Sequence, residues 1–366
     1  MGRRRMLLLA MALLGAPAAS PRRVSMWYAP GAYGGTDINA SLDLLAAHPN
    51  VVGSLLLYCG HEVTAAPGVS DNPARDLLNQ TTKMLCLDGQ YGARAGLIER
   101  LGAVGVRPEI VLNSGNSDIN DYRAFFRNAS ENVAAMVAIG KEFSAQGWHL
   151  DLEPQHPPAE EADAALFASF LAAARPALNA AGMRLTASVA RWSPMLSNYS
   201  LLAPHVDRLM QMETYVADSM RGWVDGDSYG GNYGPFVEGA TVQKAAPGFL
   251  CSNSSKCGDH LCWSDTPASV AERMKRLQAD GVEEVALFDL QRRQTLPLTP
   301  RDFWWPLLED FVKGAGVEAE AQCDPSRWVK EEYYKGKLLK NVHAVSPAAC
   351  CAACSQAADC WSWSYM

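Results

Sequence analysis

The chain has 366 residues, 48% of them apolar and 19% charged, and a formal net charge of −7. This is ordinary globular composition, enough for one large domain and a small one, and it excludes collagen-like and disordered chains. No basic run follows the N-terminus, so nucleic acid is not an expected partner, and the mild acidity bears on solubility.

The chain opens as a secretory signal over residues 1–20. Arg3, Arg4 and Arg5 precede an apolar run over residues 6–14 that is too short to span a bilayer, and the small residues Ala16, Ala18, Ala19 and Ser20 follow. No later segment reaches ~18 uninterrupted apolar residues, so no membrane span is expected. The predicted location is secreted, extracellular or lumenal. Asn-x-Ser/Thr sites at Asn39, Asn79, Asn128, Asn198 and Asn253 agree with export. In an exported chain the ten cysteines are read as disulfide partners rather than metal ligands.

Predicted elements then alternate along the chain. Strands are expected over residues 24–28, 51–58, 109–112, 148–153, 183–189, 206–215, 244–250 and 283–289. Helices are expected over 38–47, 93–104, 122–145, 158–181, 267–279 and 303–313. Strands separated by helices imply parallel pairing through crossovers, and eight such units suit an α/β chain closed as a (β/α)8 barrel over residues 24–314. The rival, an open doubly wound sheet, lacks a Gly-rich phosphate turn after an early strand; the glycines over 31–35 read as a turn. Five cysteines (Cys323, Cys350, Cys351, Cys354, Cys360) crowd the C-terminus, so a small disulfide module is expected over residues 323–366.

The most informative stretch is Gln146-Gly-Trp-His-Leu-Asp-Leu-Glu153. Strand alternation puts His149, Asp151 and Glu153 on one face and Trp148, Leu150 and Leu152 on the other. In a barrel, functional groups gather at the carboxyl ends of the strands. The other strand ends offer Trp27 and Tyr28, Tyr58, Asn113, Thr186, Ser188 and Trp192, then Gln211, Glu213 and Tyr215 as one face, and Asp289 with Gln291. Carboxylates, amides and aromatics in a ring suit sugars, which have apolar faces and hydroxyl rims. Crowded carboxylates also raise one pKa, keeping an acid protonated near neutrality. No His-Glu-x-x-His run and no Gly-x-Ser-x-Gly elbow is present, and no cofactor or metal is expected. A zinc site from Cys251, Cys257, His260 and Cys262 is the alternative to a disulfide in that loop.

The strand-4 residues resemble those of the chitinase-like family-18 glycoside hydrolases, whose fourth strand carries Asp-Gly-x-Asp-x-Asp-x-Glu. Gly147, Asp151 and Glu153 match, while Gln146 and His149 stand where the family has its first two Asp residues. The resemblance implies Glu153 as general acid, Asp151 as the group orienting the substrate's acetamido, and Tyr215 as its carbonyl donor. The family's sixth-strand Met-x-Tyr-Asp keeps only Tyr215, with Glu213 and Val216 departing from it. Phe288 or Asp289 stands near the family's eighth-strand Trp. Gln211, Glu213, His149, Asp289, Asn113, Tyr58, Trp27 and Trp192 are the expected substrate-binding residues for an oligosaccharide or polysaccharide. Two alternatives stay open: a retaining glycosidase using Glu153 and Glu213, and a non-catalytic carbohydrate-binding protein. The C-terminal cysteines with Trp361, Trp363 and Tyr365 resemble part of a PAN/apple module, which implies a protein or glycan ligand.

Overall fold

The computed structural model describes residues 22–28, 38–57, 97–113, 118–154, 157–212, 214, 220–225, 231–250, 267–288 and 301–313. The chain divides into two units, Met1–Lys313 and Gly314–Met366, and the second lies wholly outside the described residues. So do the signal segment and all ten cysteines.

Eight strands pair in parallel and in chain order, and β8 returns to β1 to close a barrel. They are β1 (Arg23–Tyr28), β2 (Val52–Leu57), β3 (Arg107–Asn113), β4 (Gly147–Asp151), β5 (Arg184–Val189), β6 (Arg208–Gln211), β7 (Ala245–Leu250) and β8 (Glu284–Phe288). Around them lie α1 (Ile38–Ala47), α2 (Leu97–Ala103), α3 (Ile119–Arg127), α4 (Ala129–Glu142), α5 (Glu161–Ala180), α6 (Pro194–Ser197), α7 (Tyr199–Leu202), α8 (Met220–Asp225), α9 (Tyr233–Ala240), α10 (Pro267–Ala279) and α11 (Arg301–Lys313). Closure removes every sheet edge.

The helix expected over 122–145 is two helices. Asn128 leaves helical geometry (φ −92°, ψ 35°). Its Nδ2 donates to the Ala124 carbonyl, and the buried Asn132 Nδ2 donates to the Phe125 carbonyl at 2.7 Å. Side chains thus occupy carbonyls at the end of α3, and the chain turns. The aromatic face of α3 packs on α5: Phe125 lies 4.8 Å from Phe170, and Phe126 5.1 Å from Phe167, by ring centroids. Arg123 ties the two helices by a fork to Asp163, with Nε to Oδ1 at 2.7 Å and Nη2 to Oδ2 at 2.9 Å.

One phase of each strand faces the helices, as Leu150, Leu185 and Leu209 do within one large apolar cluster, and Met26, Leu55 and Leu287 within a second. The other phase fills the barrel. Trp27, Leu56, Val111, Met210, Ala246 and Ala286 form its apolar plug, with Phe288 packed against it.

Below that plug is a layer of charge. Arg184 reaches Glu109 Oε1 at 3.2 Å and Glu284 Oε2 at 2.5 Å. Ser25 donates to Glu284 at 2.6 Å, and Arg208 Nε lies 3.4 Å from the same carboxylate. Glu109 and Glu284 are fully buried. Burial alone lowers the Arg184 pKa, but Glu284 and Glu109 outweigh it and hold it above the ordinary value. For Glu284, burial pushes the carboxyl up, and Arg184 and Arg208 pull it below the usual range.

Gly147 sits in this layer for a steric reason. A Cβ there would lie 2.9 Å from Glu109 Cγ and 3.0 Å from the Arg184 carbonyl oxygen. We expect Gly147→Ala to lower stability by ~1–3 kcal/mol through overpacking. Urea unfolding would measure it, and an unchanged midpoint would mean that the two neighbours move aside freely.

Candidate active site

The barrel's carboxyl-terminal mouth is where β4 delivers its acids. Asp151 ends the strand, 6% exposed, in register with Asn113 of β3. Two residues on, Glu153 is half-buried just past the strand. Burial raises the Glu153 carboxyl, and the neighbouring Asp151 charge raises it further, to about 8. At neutral pH this is a carboxylic acid with a proton to give.

Aromatic rings form the floor. Trp27 and Phe288 meet edge to face with centroids 6.0 Å apart. Trp27 Nε1 is buried and has no hydrogen-bond partner among the described residues. Trp192 follows the end of β5 and is 45% exposed, whereas the other large apolar side chains described are covered. Next to it, the buried Ser193 hydroxyl also lacks a partner among the described residues.

His149 does not reach the mouth. It is fully buried and edge-on to Trp27, with centroids 5.3 Å apart. Thr186 Oγ1 donates to Glu109 Oε2 at 3.1 Å, so its lone pairs accept from His149 Nδ1–H at 2.9 Å. Nε2, then without a proton, accepts from the Ser188 hydroxyl at 2.9 Å. Burial drives the imidazole pKa down, the Arg184 charge adds to that against Glu284, and the value falls to about 3. His149 is therefore a neutral ring with both nitrogens committed inside the barrel, not a group free for substrate.

Gln211 also departs from the sequence expectation. Met210 is the inward residue of β6, so Gln211 faces the helices. There its Nε2 donates to the Tyr199 hydroxyl at 2.6 Å, beside Asn232 Nδ2 at 2.9 Å. The strand expected to run to Tyr215 stops at Gln211. Beyond it Thr214 turns onto β7, where its hydroxyl accepts from the Gly248 N–H at 2.6 Å. On β1, Tyr28 packs with the outer cluster. Tyr58, Glu213, Tyr215, Asp289 and Gln291 lie outside the described residues, as does the Cys251–His260 loop.

Phe288 and Ser193 are what sequence reasoning undervalued. The inward phase of β8 is Glu284, Ala286, Phe288, so an aromatic side chain continues it. Small Ala286 on that face was the available signal. Among the described residues no group of three or more His, Cys, Asp or Glu is placed to hold a metal. No described helix is long and apolar enough to cross a membrane.

The fold is a closed eight-stranded parallel barrel, an architecture shared with solved family-18 chitinases. Its structural neighbours include the group IV chitinase of Ostrinia furnacalis in complex with allosamidin, with TM-score 0.55 and 13% identity over 80% of this chain and 98% of that one. They also include a GH18 chitinase from Pseudoalteromonas aurantia, with TM-score 0.52 and 11% identity over 81% and 100% of the two chains. A third is the spore cortex-lytic enzyme SleL of Bacillus megaterium, with TM-score 0.53 and 13% identity over 80% and 75%. At these identities the likeness is one of fold. No family model and no curated protein matches the chain.

Proposed function

We propose that the protein is an exported glycoside hydrolase that cleaves β-linked N-acetylglucosamine-containing sugars, chitin-like or N-glycan-derived, by substrate-assisted acid catalysis. One observation carries the reading: a Glu153 carboxyl held protonated to about 8 beside Asp151, at the mouth of a barrel floored by Trp27 and Phe288. Glu153 gives its proton to the glycosidic oxygen as the bond to the anomeric carbon breaks. The sugar's own acetamido oxygen attacks that carbon, and Asp151 supports the charge developing on the acetamido. Water then opens the cyclic intermediate, returning its proton to Glu153. Tyr215 is the proposed partner of the acetamido carbonyl. Chitinases and a spore cortex-lytic enzyme among the structural neighbours support the substrate class. For the C-terminal segment the proposed ligand is a protein or glycan.

The test is turnover on N-acetylated chito-oligosaccharides beside plain glucosides. Hydrolysis confined to acetamido substrates supports the proposal, and equal hydrolysis of plain glucosides moves the assignment to a Glu153/Glu213 pair. A second reading, sugar binding without turnover, is favoured by His149, a neutral ring where the family carries a carboxylate. Tight binding with intact oligosaccharide after days would select it.

The indole N–H of Trp27, without a partner among the described residues, makes a separate prediction. Trp27→Phe keeps an aromatic ring and removes the donor, so KM is expected to rise ~3–10-fold with kcat within about twofold. Steady-state kinetics on a chito-oligosaccharide measures this, and an unchanged KM removes Trp27 Nε1 from the site.

A further inference from the structure

The opposite end of the barrel holds a second constellation. A cavity of about 570 Å³ opens among Arg23, Arg107, Arg175, Arg184, Arg208 and Lys244. Each of these stands at or just before a strand start, except Arg175 of α5. Gln146 and Asn179 add polar groups to the wall.

The carboxylates facing these cations are Asp207, Glu109, Glu283 and Glu284. Asp207 takes Arg175 at 3.2 Å, Glu109 and Glu284 take Arg184, and Glu283 takes Arg208 at 2.5 Å. Lys244 Nζ spends one donor on the Val206 carbonyl at 2.6 Å. Arg23 and Arg107 make no side-chain hydrogen bond or ion pair with any described residue. The cavity therefore carries two positive charges more than its own acids offset.

Those cations crowd one another. Burial, and then Arg184 and Arg23, hold Arg107 below its ordinary pKa against Glu109. Lys244 is lowered by burial and then by Arg175, Arg208 and Arg184, against Asp207. Guanidiniums gathered half-buried with unused forked donors match the geometry of a tetrahedral oxyanion. Catalytic groups in such barrels stand at the other end of the strands, and β4 alone separates Gly147 from Asp151 by on the order of 13 Å. The cavity is thus no part of the acid site.

We infer that the N-terminal mouth of the barrel is a binding site for a doubly charged oxyanion of the phosphate or sulfate type, taken as the free ion or as an ester on a small sugar, with Arg107 and Arg23 as its principal ligands. The inference is independent of the hydrolytic reading, and its failure would leave that reading intact.

Isothermal titration of the full-length protein in a chloride buffer, with inorganic phosphate, inorganic sulfate and N-acetylglucosamine 6-sulfate as probes, tests it. Saturable one-to-one binding is expected, weakened at least ~10-fold in Arg107→Gln and in Arg23→Gln, since each loses a charge-assisted fork. Lys244→Gln gives the same comparison if either arginine variant fails to fold. Tighter binding of the sugar sulfate than of sulfate itself assigns the site to an ester, and equal affinities assign it to the free ion. No saturable binding of any probe, or unchanged affinity in the folded variants, overturns the site.

Discussion

Glu153→Gln is expected to abolish the proposed hydrolysis of N-acetylated chito-oligosaccharides, with kcat falling by at least ~10³-fold while substrate still binds. The amide keeps the side chain's size and loses the proton that the leaving oxygen needs, an effect confined to the transition state. In the wild-type protein, that activity should fall as pH rises through about 8, where the acid gives up its proton. Stability moves with the same group. The folded protein holds a proton on Glu153 between about 4.5 and about 8 that the unfolded chain has released. Stability therefore falls as pH rises across that window, by on the order of 4 kcal/mol at its upper end. Urea titrations at pH 5 and pH 9 should show that slope in the wild type and its loss in Glu153→Gln. Wild-type turnover in the variant would end the assignment of the acid.

The second large effect lies at the other end of the strands. Arg184→Met should destabilise the barrel by ~3–5 kcal/mol, because Glu109 and Glu284 are left fully buried without their shared cation. Adding Glu109→Gln and Glu284→Gln to that variant should restore much of the loss, since the cost is the stranded charge rather than the missing attraction. An unfolding midpoint that stays put in the single variant would mean that water reaches both carboxylates. A midpoint that does not recover in the triple variant would assign the loss to packing.

Much of this molecule is legible from its residues in order. The eight strands are short β-rich runs bounded by helical spacing, and each expected run contains the observed strand core. Strand 4 shows its phase openly because its two faces differ in kind: Trp148, Leu150 and Leu152 pack under helices, while His149, Asp151 and Glu153 point along the barrel axis or its mouth. Gly147 could be singled out by likeness to a motif, but the reason for it is the room left between Glu109 and Arg184. Strand 6 misleads for the opposite reason. Both faces of a barrel strand are buried, so Met210 and Gln211 give no polar-against-apolar contrast. Polarity points to Gln211 for the site, yet Gln211 bonds Tyr199 under the helices and Met210 fills the interior.

By itself, the order of residues determined the alternation of strands and helices and the pairing of Asp151 with Glu153 on one face, since both follow from local periodicity. Only tertiary structure decided that His149 is a neutral, doubly bonded ring, that Phe288 lies beside Trp27, and that arginines from separate strands meet around buried glutamates. Those outcomes depend on burial and on charges brought together by closing the cylinder, and neither exists until residues far apart in the chain become neighbours.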